Sequence, residues 1–375
     1  MQAESGRSLA ESLPGLALAL LLVLGLLSST AAIFSPKGIA PLQSIRVRDF
    51  ATGQVTEAQS RLLNEELWGG DILAAAARAI DWWALRDLGG QVRRGCDGWL
   101  FLREELDVHP EPKAAMARRA AMVGRVADIL RGRNIFLVVA LAPDKSRVEA
   151  GHLCRLKRPA RLAWRYQQFN AFIGGQGVQT IDLFHVLERL EGERYFLSDT
   201  HWNEKGAKAA ADAIARHLEE RGVAPPRGSS VETRIGPVVR ERVGDLIRLA
   251  GLADLPIPLR PAGDWVAESE TILPEPASDD LLGEMAGPPV VVVGSSFSRN
   301  ANFVGFLAAA LSSPVGNLAQ DGAKFSAAAT AYFKNAAFKE SPPQAIVWEI
   351  PERHVDEALS SEETEWETRL ARGNL

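Results

Sequence analysis

The stretch VVVVGSSFSRN, Val290 to Asn300, joins a four-valine run to a glycine and two serines. A short continuous run of β-branched residues is typical of a strand buried on both faces, and Gly294 marks its end. Ser295 and Ser296 then precede a predicted helix start. In open α/β sheets, ligands bind beyond the carboxyl ends of the strands. The stretch therefore predicts a buried strand that presents two serines at a ligand-binding edge, although serines in this position can also simply cap a helix.

Four further apolar segments alternate with helix-like segments and share this strand character. They are IFLVVALAP (135–143), VQTIDLF (178–184), GNLAQDG (316–322) and QAIVWEI (344–350). Five strands separated by helices predict an α/β fold with a mainly parallel sheet and helices on both faces. Residues 222–287 are rich in proline, and apart from an amphipathic segment at 241–252 they predict an irregular insertion.

The N-terminal region predicts how the chain is placed in the cell. The segment 13–34 has no charged residue and is long enough to span a bilayer as a helix, which indicates a signal anchor. A cleaved signal peptide is the alternative, because residues 29–31 resemble a small-residue cleavage site. In either case we expect the rest of the chain on the periplasmic side of the inner membrane. We expect a helical connector over 35–90 and one domain over 91–375.

Composition excludes several classes of function. The chain is 46% hydrophobic and 24% charged, as in ordinary globular proteins. A net charge of −5 without a basic stripe argues against nucleic-acid binding. The zinc-protease, C-x-x-C and P-loop motifs are missing, so we expect neither a metal nor a cofactor. Cys96 and Cys154 could form one disulfide or remain two separate buried thiols.

A second polar segment, SDTHWN (Ser198 to Asn203), precedes an Ala-rich predicted helix. A serine nucleophile needs a base, and the base needs an acceptor that orients its other ring nitrogen. Asp199 and His201 are two residues apart, so in a turn the carboxylate can fold back onto the imidazole. Asn203 is predicted to cap the helix. We interpret His201 as a catalytic base, with a structural histidine as the alternative.

Four motifs together resemble the SGNH-hydrolase-like alginate O-acetyltransferase family (AlgX/AlgJ type). They are SDTHWN, GSSFS (294–298), GCDGWLFL (95–102) and IVWEIPER (346–353). The resemblance implies an SGNH-hydrolase-like (flavodoxin-like) fold. In that family a GxS-type serine and a DxHW motif supply the triad, in an order circularly permuted relative to ordinary SGNH esterases. The resemblance implies Ser296 as nucleophile, His201 as base and Asp199 as its orienting group. Ser295 replaces the Asp or Thr of many relatives and is a rival nucleophile.

The resemblance also implies an oxyanion hole built from the Ser296 amide, Gly322 and Asn317. The asparagine expected on a third loop is absent, so Arg353 or a backbone amide is expected to replace it, with a salt-bridged surface arginine as the alternative.

Two further residues are candidates for substrate contacts, in addition to Arg353. Lys145 follows a strand at the same sheet edge and could bind a carboxylate-bearing sugar, or it could be a solvated loop lysine. Trp202, beside the predicted base, could stack on a sugar or pack in the core.

The activity that the resemblance implies is O-acetylation of an exopolysaccharide (alginate-like, cellulose or another) at the periplasmic face, through an acetyl-serine. A membrane-bound O-acyltransferase partner would supply the acetyl groups. Two alternatives are a carbohydrate acetylesterase with the same triad and a non-catalytic polysaccharide-binding scaffold subunit of an export complex.

Overall fold

The computed structural model describes residues 9–39, 53–66, 70–226, 231–272 and 287–375. The chain divides into two compact units, 1–85 and 86–375. Parts of the predicted connector (40–52 and 67–69) and of the predicted insertion (227–230 and 273–286) lie outside the described residues.

The first unit is helical wherever it is described. Its helices are α1 (Leu9–Ile33), α2 (Pro36–Ile39), α3 (Gln54–Glu66) and α4 (Gly70–Ile80), and a π-helical turn (Asp81–Leu85) follows. Within the described ranges, none of the helices combines the length and the apolar character that crossing a bilayer requires. The membrane anchor expected over 13–34 therefore stays a prediction.

Nine strands are described in the second unit. They are β1 (Val92–Arg94), β2 (Leu100–Leu102), β3 (Phe136–Ala142), β4 (Gln179–Ile181), β5 (Glu232–Arg242), β6 (Asp264–Ile272), β7 (Val290–Val293), β8 (Val315–Asn317) and β9 (Ala345–Pro351). Five of them form a parallel sheet in the order β4-β3-β9-β7-β8. These are the five strands predicted from the sequence, so the parallel sheet is confirmed.

Eleven α-helices are described in the second unit. They are α5 (Pro112–Arg131), α6 (Lys145–Val148), α7 (Arg165–Gly175), α8 (Leu183–Glu188), α9 (Glu204–Glu220), α10 (Asp245–Leu249), α11 (Ser296–Arg299), α12 (Phe303–Leu311), α13 (Ala327–Lys334), α14 (Ala336–Glu340) and α15 (Ser361–Ala371). Successive side chains of a strand point to opposite faces of the sheet, and β3 shows the consequence. Leu137, Val139 and Leu141 pack on one core with α5, α7, α13 and α15. Val138 and Ala140 pack on a second core with α9 and α12.

The predicted irregular insertion is wrong in one respect, because two of its segments, β5 and β6, form a two-stranded ribbon. Strands β5 and β6 pair antiparallel, with a register shift between Ile235 and Val239. Charged and apolar side chains occur on both faces of this ribbon, and most are exposed or half-buried. A strand without one buried face lacks the apolar alternation by which strands are recognised in a sequence.

The GCDGWLFL motif supplies the turn and the second strand of a disulfide-linked hairpin, whose first strand is β1. Gly98 turns the chain with a φ of +87° and leads into β2, which pairs antiparallel with β1. Cys96 and Cys154 are bonded, with their Cα atoms 5.5 Å apart. Of the two possibilities left open by the sequence, the structure therefore contains the disulfide.

Candidate active site

The two serines after β7 have different environments. Ser295 is the N-cap of α11, where its hydroxyl accepts a hydrogen bond from the Phe297 amide, and it also donates to Glu349. Glu349 is fully buried in β9 and accepts the Ser295 amide at 2.7 Å as well. A side chain at Gly294 would collide with the Glu349 carboxylate, which explains the glycine. The capping role therefore belongs to Ser295, and Ser296 is left free to face the neighbouring loop.

The three predicted triad residues form one hydrogen-bonded chain. His201 Nε2 lies 2.7 Å from the Ser296 hydroxyl oxygen, and His201 Nδ1 lies 2.6 Å from Asp199 Oδ1. Asp199 also accepts the backbone N–H of His201 at 3.1 Å, which is the folded-back turn that the sequence predicted. Ser296 is half-buried, whereas Asp199 and His201 are buried. The arrangement can pass a proton from the serine to the imidazole.

The second carboxylate oxygen of Asp199 is held by the ribbon. Arg242, at the end of β5, donates to Asp199 Oδ2 at 3.1 Å and to the Asn300 side chain at 2.8 Å. The Asp245 amide donates to the same Asp199 oxygen at 3.1 Å. Burial opposes ionisation of Asp199, but His201 and Arg242 outweigh it and hold the pKa of this carboxyl well below its usual range. The carboxylate therefore stays charged opposite the imidazole.

Asp245 supplies another carboxylate near the histidine. Its Oδ2 lies 3.7 Å from His201 Nδ1, and its Oδ1 accepts the Thr200 amide at 2.7 Å. Burial raises the pKa of Asp245, and the charge of Asp199 raises it further. Asp199, His201 and Asp245 each place one donor atom within 4.8 Å of the others, a spacing that could hold a metal ion. A metal on His201 Nδ1 would have to replace the bond between His201 and Asp199.

The loop that carries the Asp–His pair is fixed at both ends. At its start, the Asp264 carboxylate of β6 accepts the amides of Leu197 and Ser198. At its end, Asn203 caps α9 by accepting the Gly206 amide at 3.0 Å, as the sequence predicted. The base is therefore presented by a loop that is held at both ends.

The predicted sugar-lining role of Trp202 is corrected by its burial. Its side chain is fully buried between Phe297 and Phe303, with ring centroids 5.0 and 5.1 Å away, and its indole N–H donates to the Phe297 carbonyl. The ring therefore supports the helix that carries the nucleophile, which is the packing alternative considered from the sequence.

The predicted substrate contact of Lys145 is corrected for the same reason. The side chain is fully buried, and its ammonium donates to the carbonyls of Leu100, Leu197 and Asp199 at 2.6 to 2.9 Å. A lysine whose three N–H groups all have protein acceptors has none left for a sugar carboxylate.

Arg353 is buried too, so the surface salt-bridge alternative is wrong. Only 9% of it is exposed, and its guanidinium carbon lies 5.5 Å from the centroid of the Phe297 ring. Its Nε and Nη1 are buried without a hydrogen-bond partner. The guanidinium thus lies against the residue that follows Ser296, with hydrogen-bonding capacity left over.

The other two predicted oxyanion residues occupy different places. Asn317, at the end of β8, donates to the Ser298 carbonyl at 3.4 Å and accepts the Ala319 amide, so its side chain lies against α11. Gly322 has a φ of +70° and lines a cavity of about 420 Å³ together with Glu357 and Glu363. Among the described residues that line this cavity, none belongs to the triad.

Several residues of the site escape the sequence analysis. Arg242 and Asp245 lie in the amphipathic segment 241–252 and Asp264 lies in the region predicted to be irregular, and nothing in their local sequence links them to Asp199, which precedes Arg242 by 43 residues. Glu349 could have been recognised, because a lone carboxylate inside the apolar run AIVWEIP is a buried charge that requires partners.

A parallel sheet with a hydrogen-bonded Ser–His–Asp set at its carboxyl edge is the arrangement of a serine enzyme of the acyl-transfer class. Residues 92–352 match the family described as "SGNH hydrolase-like domain, acetyltransferase AlgX". The chain belongs to this family, and it is an acetyltransferase. The resemblance seen in the four sequence motifs is thereby confirmed.

Similar proteins agree with this assignment. The probable alginate O-acetylase AlgJ of Pseudomonas fluorescens is 31% identical, and the match covers 97% of this chain and 92% of that protein. The Azotobacter vinelandii protein of the same description is 29% identical, and the match covers 90% of this chain and 89% of that protein. The solved O-acetyltransferase domain of Pseudomonas putida AlgJ superposes with a TM-score of 0.66 at 29% identity, covering 76% of this chain and 99% of that domain.

Proposed function

We propose that this protein transfers acetyl groups onto hydroxyls of an exopolysaccharide through an acetyl-serine intermediate on Ser296. The observation that carries the proposal is the unbroken hydrogen-bonded chain from Asp199 through His201 to Ser296. The AlgJ proteins to which the chain is similar are described as alginate O-acetylases, which supports a polysaccharide acceptor. An alginate-like polymer is the first candidate, and cellulose or another exopolysaccharide would present the same type of hydroxyl.

In the first half-reaction the serine is acetylated. His201 Nε2 accepts the Ser296 proton as the serine oxygen attacks the acetyl carbonyl. Asp199 holds the ring in the tautomer with a proton on Nδ1 and stabilises the imidazolium that forms. The tetrahedral intermediate then collapses, the donor oxygen leaves with the proton from His201, and the acetyl ester of Ser296 remains.

In the second half-reaction a sugar hydroxyl attacks the acetyl-serine carbonyl. His201 removes the hydroxyl proton during the attack and returns it to the Ser296 oxygen as that oxygen leaves. The acetyl group ends on the polysaccharide, and the enzyme recovers its starting state. Water is the competing acceptor, so the ratio of transfer to hydrolysis depends on how well the sugar is bound and water excluded.

The negative charge of the tetrahedral intermediate needs hydrogen-bond donors. We assign the Ser296 amide as the first donor, because it belongs to the nucleophile itself. Asn317, beside α11, is a second candidate, and Gly322 is a third. The Arg353 guanidinium lies against Phe297 with two nitrogens that lack hydrogen-bond partners, and we propose that its positive charge favours the anionic intermediate.

The proposed location is the periplasmic face of the inner membrane. The Cys96–Cys154 disulfide supports an oxidising compartment, because such bonds are rare in the cytosol. Since acetyl-CoA is cytoplasmic, we propose that a membrane-bound O-acyltransferase passes acetyl groups outward to this protein. Anchoring through the apolar segment 13–34 would keep the two proteins together.

Two alternatives stay open to experiment. A carbohydrate acetylesterase would use the same triad with water as the acceptor. A non-catalytic scaffold subunit is less compatible with the site, because a scaffold has no need of a hydrogen-bonded nucleophile, base and carboxylate.

An acceptor assay separates these three functions. The full-length protein is given a chromogenic aryl acetate, with and without a non-acetylated uronic-acid oligosaccharide, and the sugar is analysed by mass spectrometry. The proposal expects acetylated sugar that Ser296→Ala does not produce. Acetate release without sugar acetylation would indicate an esterase, and glycan binding without turnover would indicate a scaffold.

A further inference from the structure

We propose that Lys145 is a positioning residue for catalysis, which holds the loop of Asp199 and His201 against the hairpin formed by Gly95 to Leu102. The inference rests on the proposed function, because it concerns the geometry of the same triad. It gives a role to a buried lysine and a sequence motif that the acetyl-transfer steps do not use.

The contacts of the ammonium group carry the proposal. Lys145 Nζ donates to Leu100 O at 2.6 Å, and to Leu197 O and Asp199 O at 2.9 Å each. These three bonds use every proton of the ammonium. The Leu197 and Asp199 carbonyls lie in the loop that carries the Asp–His pair, called here the catalytic loop. Asp199 is itself the triad aspartate. The lysine therefore joins β2 directly to the backbone that orients His201.

The ammonium of Lys145 packs against two aromatic rings of the hairpin. Lys145 Nζ lies 4.9 Å from the ring centroid of Trp99 and 5.2 Å from that of Phe101, both within cation–π range. Trp99 in turn stacks on His152 with centroids 4.2 Å apart. The Leu100 amide donates to Leu197 O at 3.0 Å, which ties the hairpin to the catalytic loop a second time.

Losing the ammonium would affect the triad more than the rest of the fold. Arg242 and the Asp245 amide donate hydrogen bonds to the Asp199 side chain. The Asp199 backbone carbonyl instead accepts a hydrogen bond from Lys145. Without that donor the carbonyls of the loop must turn toward other partners. Shifts of about 1 Å at a reacting group can cost roughly a hundredfold in rate.

The charge state of Lys145 gives the proposal a pH signature. Burial lowers the pKa of Lys145 to about 8, although the carboxylates of Glu105, Asp264, Asp199 and Asp245 act in the opposite direction. Above that pH the neutral amine keeps only two N–H groups for three carbonyls. We therefore expect kcat to decline as the pH rises through this value.

The main test compares Lys145→Met with Lys208→Met in the full-length protein. Methionine keeps the length of the side chain but removes its charge and its donors. Lys208 is an exposed lysine of α9 that pairs with Asp212, so it controls for the chemical change. We expect Lys145→Met to lower kcat roughly a hundredfold with KM within about twofold, and Lys208→Met to change neither.

A spectroscopic measurement keeps this test independent of the proposed function. The proton between His201 Nδ1 and Asp199 should give a low-field ¹H signal in protein labelled with ¹⁵N-histidine, whatever the substrate is. We expect this signal to shift or broaden in a folded Lys145→Met variant and to be unchanged in Lys208→Met. An unchanged signal with unchanged kcat in Lys145→Met would overturn the proposal. Wild-type protein that shows no transfer, together with a shifted signal, would instead contradict only the proposed function.

If Lys145→Met does not fold, the proposal is tested by measuring kcat of the wild-type protein against pH. Its kcat should fall as the pH rises from about 7 toward 10, with a midpoint near the pKa of Lys145. Because the pKa of this lysine is lower in the folded than in the unfolded chain, its contribution to stability increases with pH in this range. A falling kcat without a fall in melting temperature supports the proposal, and a constant kcat overturns it.

Discussion

The hydroxyl of Ser296 lies 2.7 Å from His201 Nε2, whereas the hydroxyl of the adjacent Ser295 lies 3.0 Å from the carboxylate oxygens of Glu349. Of these two adjacent serines, Ser296 therefore faces the base, whereas Ser295 donates to a buried carboxylate. Burial raises the pKa of Glu349, so this carboxylate depends on the serine hydroxyls and amide that surround it. The two serines should therefore respond differently to the same substitution.

Ser296→Ala should reduce acetyl transfer by roughly a thousandfold or more, because it removes the nucleophile while leaving the fold intact. Ser295→Ala should retain turnover but lower the free energy of unfolding by about 1–2 kcal/mol, since it removes a helix cap and a donor to a buried carboxylate. Steady-state rates and denaturant melts of the two variants measure both effects. Loss of turnover in Ser295→Ala with full activity in Ser296→Ala would make Ser295 the nucleophile.

Arg242→Met should lower kcat about tenfold and shift the acidic limb of the kcat/KM profile to higher pH. The reason is that Arg242 helps to hold the pKa of Asp199 low, so its removal favours protonation of that carboxylate. Arg240→Met on the same strand is the matched control, because Arg240 is exposed and pairs with Glu268 instead. The same profile in both variants would contradict a role of the ribbon in the site.

Asp199→Asn should lower kcat by up to roughly ten thousandfold, because the neutral amide favours the wrong tautomer of His201. It should also change how stability depends on pH. The pKa of Asp199 is lower in the folded than in the unfolded chain, so its stabilising contribution is present above about pH 4 and is lost on acidification. Below that pH the melting temperature of the wild type should fall more steeply than that of Asp199→Asn. Parallel curves would show that the carboxylate is not stabilised in the fold.

Replacing both Cys96 and Cys154 by serine should lower the free energy of unfolding by about 2–4 kcal/mol, since the disulfide spans 58 residues. It should also lower kcat, because the hairpin that the disulfide fixes contacts the catalytic loop through Leu100. Thermal melts and rates with and without a thiol reductant measure both. Reductant should affect the wild type and leave the double variant unchanged, and a wild type indifferent to reductant would show that the bond does not stabilise the fold.

Treatment with a metal chelator should leave the acetyl-transfer rate unchanged. Asp199, His201 and Asp245 have a spacing that could hold an ion, but the proposed chemistry needs the bond between His201 Nδ1 and Asp199. Rates measured before and after dialysis against the chelator provide the check. A loss of activity restored by one added divalent metal would assign these residues to a metal centre instead.

The central sheet was predictable because its strands carry a strong local signal. The run Val290–Val293 and the segment that forms β3 are continuously apolar, as strands covered on both faces must be. The Asp–His turn was predictable for a different reason, since two residues of separation confine both groups to one turn. In both cases the signal lies within a few consecutive residues of the sequence.

The ribbon and its contribution to the site could not be predicted. Arg242 reaches Asp199 only because β5 ends beside the catalytic loop, and neither strand of the ribbon has a buried face that would reveal it. The burial of Lys145 was hidden as well, because a lysine after a strand is normally solvated. Only the folded hairpin supplies the carbonyl of Leu100 that, with the loop carbonyls, makes burial possible.

The most direct test of the account is to capture the acetyl-enzyme. The full-length protein is mixed with an aryl acetate, quenched in acid within one turnover, digested, and analysed by mass spectrometry, with and without a chase of uronic-acid oligosaccharide. We predict one added acetyl group on the peptide that contains Ser296, its disappearance during the chase, and the appearance of acetylated sugar. Acetylated sugar formed at the normal rate by Ser296→Ala, or an acetyl group carried on another residue, would contradict the mechanism.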